Sequence, residues 1–152
     1  MTQRFRYFLR VRYQECDAQK VVFNARYGDY IDQACIEFLR AALPNPQDAM
    51  DGTFEIQSVR QVTEWKTSAR FDDVLEVSMW TSRIGTTSFT LSAEIRRAGP
   101  ERTTADLIAT VETTYVHVDH ATFTKREIEP HMRAALEAGA AGKQVDHAGY
   151  LE

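Results

Sequence analysis

The chain has 152 residues, the size of one domain, with a formal net charge of -4, 43% hydrophobic residues and 26% charged residues. This ordinary globular composition supports a sizeable core. It contains no apolar run near the ~20 residues of a membrane span and no long basic run of the kind a nucleic-acid binder carries.

The opening MTQRFRYFLR has no signal-peptide hydrophobic region and reads directly as a strand, so the expected compartment is the cytoplasm. Over residues 4 to 14, Phe5, Tyr7, Leu9, Val11 and Tyr13 alternate with Arg4, Arg6, Arg10 and Arg12; Phe8 breaks the pattern. Such alternation predicts a half-buried antiparallel strand. From Asn24 onward the period changes. Tyr27, Tyr30, Ile31, Ala34, Phe38 and Ala41 follow helical spacing, which predicts a helix from about Ala25 to Leu43, before Pro44. Asn24 is expected to cap it, accepting from backbone N–H groups two or three residues on.

PNPQDAMDGT is a surface loop. Residues 54 to 67 predict a strand of uneven alternation, suited to a mixed-polarity site, a subunit junction or a bulge. Asp72-Asp73 is a turn. Residues 74 to 83 and the segment around Phe89, Leu91, Ala93 and Ile95 form a hairpin about Gly85, and residues 104 to 118 make a long fifth strand. HMRAALEAG after Pro130 is a short helix. The expected division is one domain over 1–140 and a flexible tail over 141–152.

The loop before the long helix carries the chemistry. A helix N-terminus offers free N–H donors and partial positive charge, suited to a developing oxyanion. Asp17 lies seven residues before Asn24, close enough to fold back beside it. A carboxylate beside such donors is the minimum equipment for acyl transfer, although an Asp in such a loop also serves as a turn residue. Cys16 and Cys35 have no His or Cys at metal-ligand spacing and read as small packing residues. None of the four histidines shows metal spacing, so no metal and no cofactor are expected.

Val11 to Leu39, V-R-Y-x-E-C-D-A-x-x-V-V-F-N-x-x-Y-x-x-Y-I-D followed by E-F-L, resembles the opening of the 4-hydroxybenzoyl-CoA thioesterase-like branch of the hotdog-fold superfamily, which includes the Tol–Pal-associated thioesterases. Phe71-Asp72-Asp73-Val74-Leu75-Glu76-Val77, Ile84-Gly85-x-x-Ser88-Phe89 and Val116-His117-Val118-Asp119 extend the similarity over roughly residues 6 to 136.

The resemblance implies an α+β hotdog fold, a curved five-stranded antiparallel sheet wrapped around one long helix. It implies hydrolysis of a fatty or aromatic acyl-CoA to free acid and CoA. Asp17 becomes nucleophile or general base, and the helix start at Asn24 aims the oxyanion donor. Tyr27, Val59, Arg83, Thr87, Ser88 and Arg126 become substrate-binding candidates, with Lys125 nearby. The expected assembly is a homodimer with sheets joined edge to edge, or a homotetramer built as a dimer of dimers.

Two departures stand out. Lys20 occupies a position where the family often has Gly, which permits positive φ. Cys35 stands where Arg is frequent. The alternatives are a hotdog dehydratase, which usually needs a His that residues 14 to 26 lack, and a non-catalytic acyl-CoA-binding module.

Overall fold

The computed structural model describes residues 3–99 and 104–152. The alternating N-terminal segment forms β1 (Phe5–Arg10), a single 3-10 turn at Tyr13–Glu15 follows, and the period-3.6 segment forms helix α1 (Arg26–Ala42). After a loop come β2 (Glu55–Trp65), β3 (Val74–Ile84), β4 (Ser88–Ala98), β5 (Thr104–Val118), helix α2 (Pro130–Ala138) and a short β6 (Gln144–Asp146). The strands make one sheet in the order β2-β5-β4-β3-β1-β6. All pairs are antiparallel except β1 with β6, which runs parallel. Among the described residues no helix is long and apolar enough to cross a membrane.

The apolar stripe of α1 buries Tyr27, Tyr30, Ile31, Ala34, Phe38 and Leu39. It meets inward residues of the strands, among them Leu75, Val77 and Met79 of β3 and Phe89, Leu91, Ala93 and Ile95 of β4, in one continuous core. Burying side chains of this size stabilises by about 1.5–3 kcal/mol each before entropy is counted. The helix covers one face of the sheet. The other face is a polar lattice in which Arg4 and Arg96 both pair with Glu94, and Arg6 pairs with Glu76.

The structure corrects two expectations and chooses among the readings left open for a third segment. First, the sheet has six strands rather than five, and the last twelve residues are not a loose tail. β6 pairs with β1, the His147 N–H donates to the Phe8 carbonyl at 2.9 Å, and Tyr150 stacks on Phe8 with ring centroids 5.3 Å apart. This also accounts for Phe8, which is buried on the face that alternation assigned to solvent. Second, Asn24 does not cap α1. The cap position is Ala25, in αR geometry and with no side-chain cap. Third, β2 carries a register break between Ser58 and Arg60, and its side chains are mostly exposed, including Val59, Val62 and Trp65. Of the readings left open for this segment, the bulge is present.

Candidate active site

Asp17 opens a tight turn. Its carbonyl accepts from the Lys20 N–H at 2.9 Å, its own N–H donates to the Val21 carbonyl at 2.9 Å, and Oδ1 accepts from the Gln19 N–H at 2.8 Å. The last of these is the Asx turn that sequence chemistry allows. It orients the half-buried carboxylate and leaves Oδ2 with no partner among the described residues. Lys20 completes the turn at φ 67°, the left-handed conformation for which glycine is suited. Lys20 carries its side chain there at a backbone cost of about 1 kcal/mol.

The start of α1 follows this loop directly in the chain. A turn from Phe23 to Arg26, closed by the Arg26 N–H donating to the Phe23 carbonyl at 2.8 Å, precedes the first helical residue. This turn places Asn24 one residue too early to cap, and its side chain is exposed. The N–H groups of Asn24 and Ala25 have no acceptor among the described residues. The helix mouth thus keeps free donors together with the positive end of the helix dipole.

Both parts rest on residues 67–73, which the sequence did not single out beyond Phe71-Asp72-Asp73. The Val22 N–H donates to the Ala69 carbonyl at 2.8 Å, and Val21 bridges to Arg70. From the other side, the Ala69 N–H donates to the Tyr27 hydroxyl at 3.3 Å. Tyr27 is buried in the core, its ring edge-on to Trp65 and Tyr30, as its place on the apolar stripe of α1 requires. Ala69 offers no chemistry that a sequence reading could find.

The remaining candidates gather elsewhere. Thr87 and Ser88 lie in the turn between β3 and β4, where the Ser88 carbonyl accepts from Gly85 and the Thr87 carbonyl from the His117 N–H, each at 2.7 Å. Arg126 joins them, its N–H donating to the His117 carbonyl at 2.9 Å and its guanidinium to Glu129 at 2.8 Å. Val59 and Arg83 line a shallow groove of about 540 Å³ with Arg60, Ser82 and Glu112, away from Asp17. Neither Asp17 nor this set lines the two clefts beside α1. One, of about 430 Å³, includes Tyr7, Glu15, Tyr30 and His147; the other, of about 320 Å³, includes Asp32, Cys35 and Tyr115.

The thiols are not activated. Burial, with the Glu15 and Asp17 carboxylates, pushes Cys16 above the ordinary thiol range. Burial pushes Cys35 up to about 12. A thiolate nucleophile needs the opposite shift.

One six-stranded sheet with a long helix packed on one face is the arrangement of the hotdog fold. The chain belongs to the thioesterase-like superfamily, which it matches over residues 11–136. A protein of Aquifex aeolicus provisionally named an esterase is 32% identical over 88 residues, 58% of this chain and 69% of that protein. The crystal structure of a hypothetical protein from Aquifex aeolicus is 26% identical, with a TM-score of 0.76 over 87% of this chain and 98% of that one. A 1,4-dihydroxy-2-naphthoyl-CoA thioesterase from Synechocystis shares the fold, with a TM-score of 0.74 over 87% of this chain and 94% of that one, at 20% identity.

Proposed function

We propose that this chain is an acyl-CoA thioesterase that converts an acyl-CoA and water into a carboxylic acid and CoA. The observation that carries the reading is that the Asp17 loop and the open mouth of α1 hang from the same residue, Ala69. The thioester carbonyl oxygen lies toward the free N–H groups of Asn24 and Ala25, and the Oδ2 of Asp17 lies toward the carbonyl carbon. Asp17 then acts in one of two ways. It attacks the carbon, forming a mixed anhydride and expelling CoA thiolate, and water hydrolyses the anhydride. Or it takes a proton from a water that attacks directly. A thiolate leaves readily, so no general acid is required at this site.

The CoA phosphates are assigned to the cationic end of the sheet, with Arg83 and Arg126 as the charged contacts and Thr87 and Ser88 as hydroxyl donors. The assembly proposed is a homodimer through the β2 edge, or a tetramer of such dimers, in the cytoplasm. An open edge strand bearing exposed Val59, Val62 and Trp65 supports it, because such an edge pairs with another chain unless it is blocked.

Thiol release from a panel of short, long and aromatic acyl-CoAs tests the activity. Binding of acyl-CoA without any release would leave a binding module and end the hydrolase reading. Sedimentation tests the assembly: a wild-type dimer that Val62→Lys with Trp65→Lys converts to a monomer is expected, and a monomeric wild type contradicts it.

A further inference from the structure

The geometry points to Arg97, on β4, as the positioning residue that sets the spacing between the Asp17 carboxylate and the mouth of α1; the inference rests on the hydrolase reading above. The guanidinium of Arg97 reaches out of the sheet and holds residues 67–73 at two points. Its Nε donates to Asp73 Oδ2 at 2.9 Å, and one terminal nitrogen donates to the Ser68 carbonyl at 2.7 Å. The other terminal nitrogen pairs with Asp106 of β5, which anchors the fork to the neighbouring strand.

Asp73 passes the constraint on. The same Oδ2 accepts from the Arg70 N–H at 2.9 Å, and the Asp73 carbonyl accepts from the Val11 N–H at 2.9 Å. Ser68 and Arg70 flank Ala69, so the fork fixes the residue that takes Val22 on its carbonyl and gives its N–H to Tyr27. Each half of the candidate site is thereby one hydrogen bond from a segment that Arg97 clamps. Carboxylates on both sides raise the Arg97 guanidinium above its already high ordinary value, the bond to Asp73 being the largest cause, so the clamp stays charged throughout the accessible pH range. The planar fork is what satisfies a carboxylate and a carbonyl at once; a lysine ammonium offers one point charge.

A misplacement of about 1 Å between reacting groups costs on the order of 100-fold in rate. Loss of the clamp is therefore read in turnover before it is read in binding. Arg97→Lys keeps the ion pair with Asp73 and releases the Ser68 carbonyl. The expected result is a thermal midpoint close to wild type, kcat down about tenfold or more, and KM for acyl-CoA within about threefold. Arg97→Met, lacking both, loses more turnover. Amide hydrogen exchange on the full chain supplies a readout independent of activity: the Val22, Ala69 and Arg70 amides exchange faster in both variants, while amides in β5 keep their protection. Wild-type kcat in Arg97→Lys, or unchanged protection at Val22 and Ala69 in Arg97→Met, overturns the proposal. A wild-type chain that releases no thiol overturns the hydrolase reading instead, and the exchange measurement still decides whether Arg97 clamps the loop.

Discussion

Two regions of this molecule share the expected work in different materials. Around Ala69 the parts are made of main chain: turns, a bridge and donors at the end of a helix, with one carboxylate among them. Around His117 main-chain bonds again tie Arg126 and the Thr87-Ser88 turn to one strand end, but the groups on offer there are side chains, as is that of Arg83, exposed in the groove it lines with Val59. Main-chain geometry suits a task that needs sub-ångström placement, and exposed cations suit a task that needs only attraction. Damage to the first region should appear in kcat, and damage to the second in KM.

The largest separation comes from Asn24. The turn from Phe23 to Arg26 puts Asn24 at its second position, where proline fits. Asn24→Pro removes the N–H and keeps the turn, so kcat should fall about 100- to 1,000-fold, the usual cost of one oxyanion donor. Asn24→Ala keeps the N–H and loses a side chain that caps nothing, so its steady-state kinetics should match wild type. Equal loss in both variants would assign the role to the side chain. At the other end, Arg83→Ala and Arg126→Ala should each raise KM about three- to tenfold and leave kcat alone, with a shallower salt dependence. A fall in kcat without a change in KM would erase the contrast.

The sequence made the regular parts legible and missed the parts that depend on where the chain meets itself. The stripe of α1 was readable because Tyr27, Tyr30, Ile31, Ala34 and Phe38 repeat with the helical period. The hairpin of β3 and β4 was readable from its alternation about Gly85. Asn24 was misassigned because cap preference is a local tendency, and a preceding turn shifted the helix start by one residue. β6 escaped because Gln144, Val145 and Asp146 carry a single apolar side chain; its only trace was Phe8 on the wrong face. Ala69 and Arg97 matter through contacts with residues tens of positions away, which no spacing rule reports.

The docked tail gives a smaller effect that depends on pH. Burial pushes the Asp146 carboxyl up, but the N–H groups of Leu151, Tyr150, Ala148 and Gly149 outweigh it and hold the group below the ordinary carboxylate value. A depressed pKa contributes stability that is fully present above the unfolded value, about 3.9, and is lost as pH falls through the lower folded value. Protection of the Ala148 amide, its exchange measured against the intrinsic rate at each pH, should therefore fall below about pH 4, and Asp146→Asn should show the lower protection at neutral pH. Protection independent of pH in the wild type would remove Asp146 as the tail's clasp. The smallest effect is expected at Lys20. Lys20→Gly relieves the left-handed backbone and should stabilise by about 0.5–1 kcal/mol in thermal unfolding, with turnover preserved. Destabilisation would mean that the ammonium group has a partner in the assembled protein.

The most direct measurement is thiol release by Asp17→Asn from whichever acyl-CoA the wild type hydrolyses best. The substitution keeps an oxygen for the Gln19 N–H and removes the charge. The account predicts release lowered by at least about 100-fold, with acyl-CoA still bound and the thermal midpoint unchanged. Release at the wild-type rate would contradict it outright.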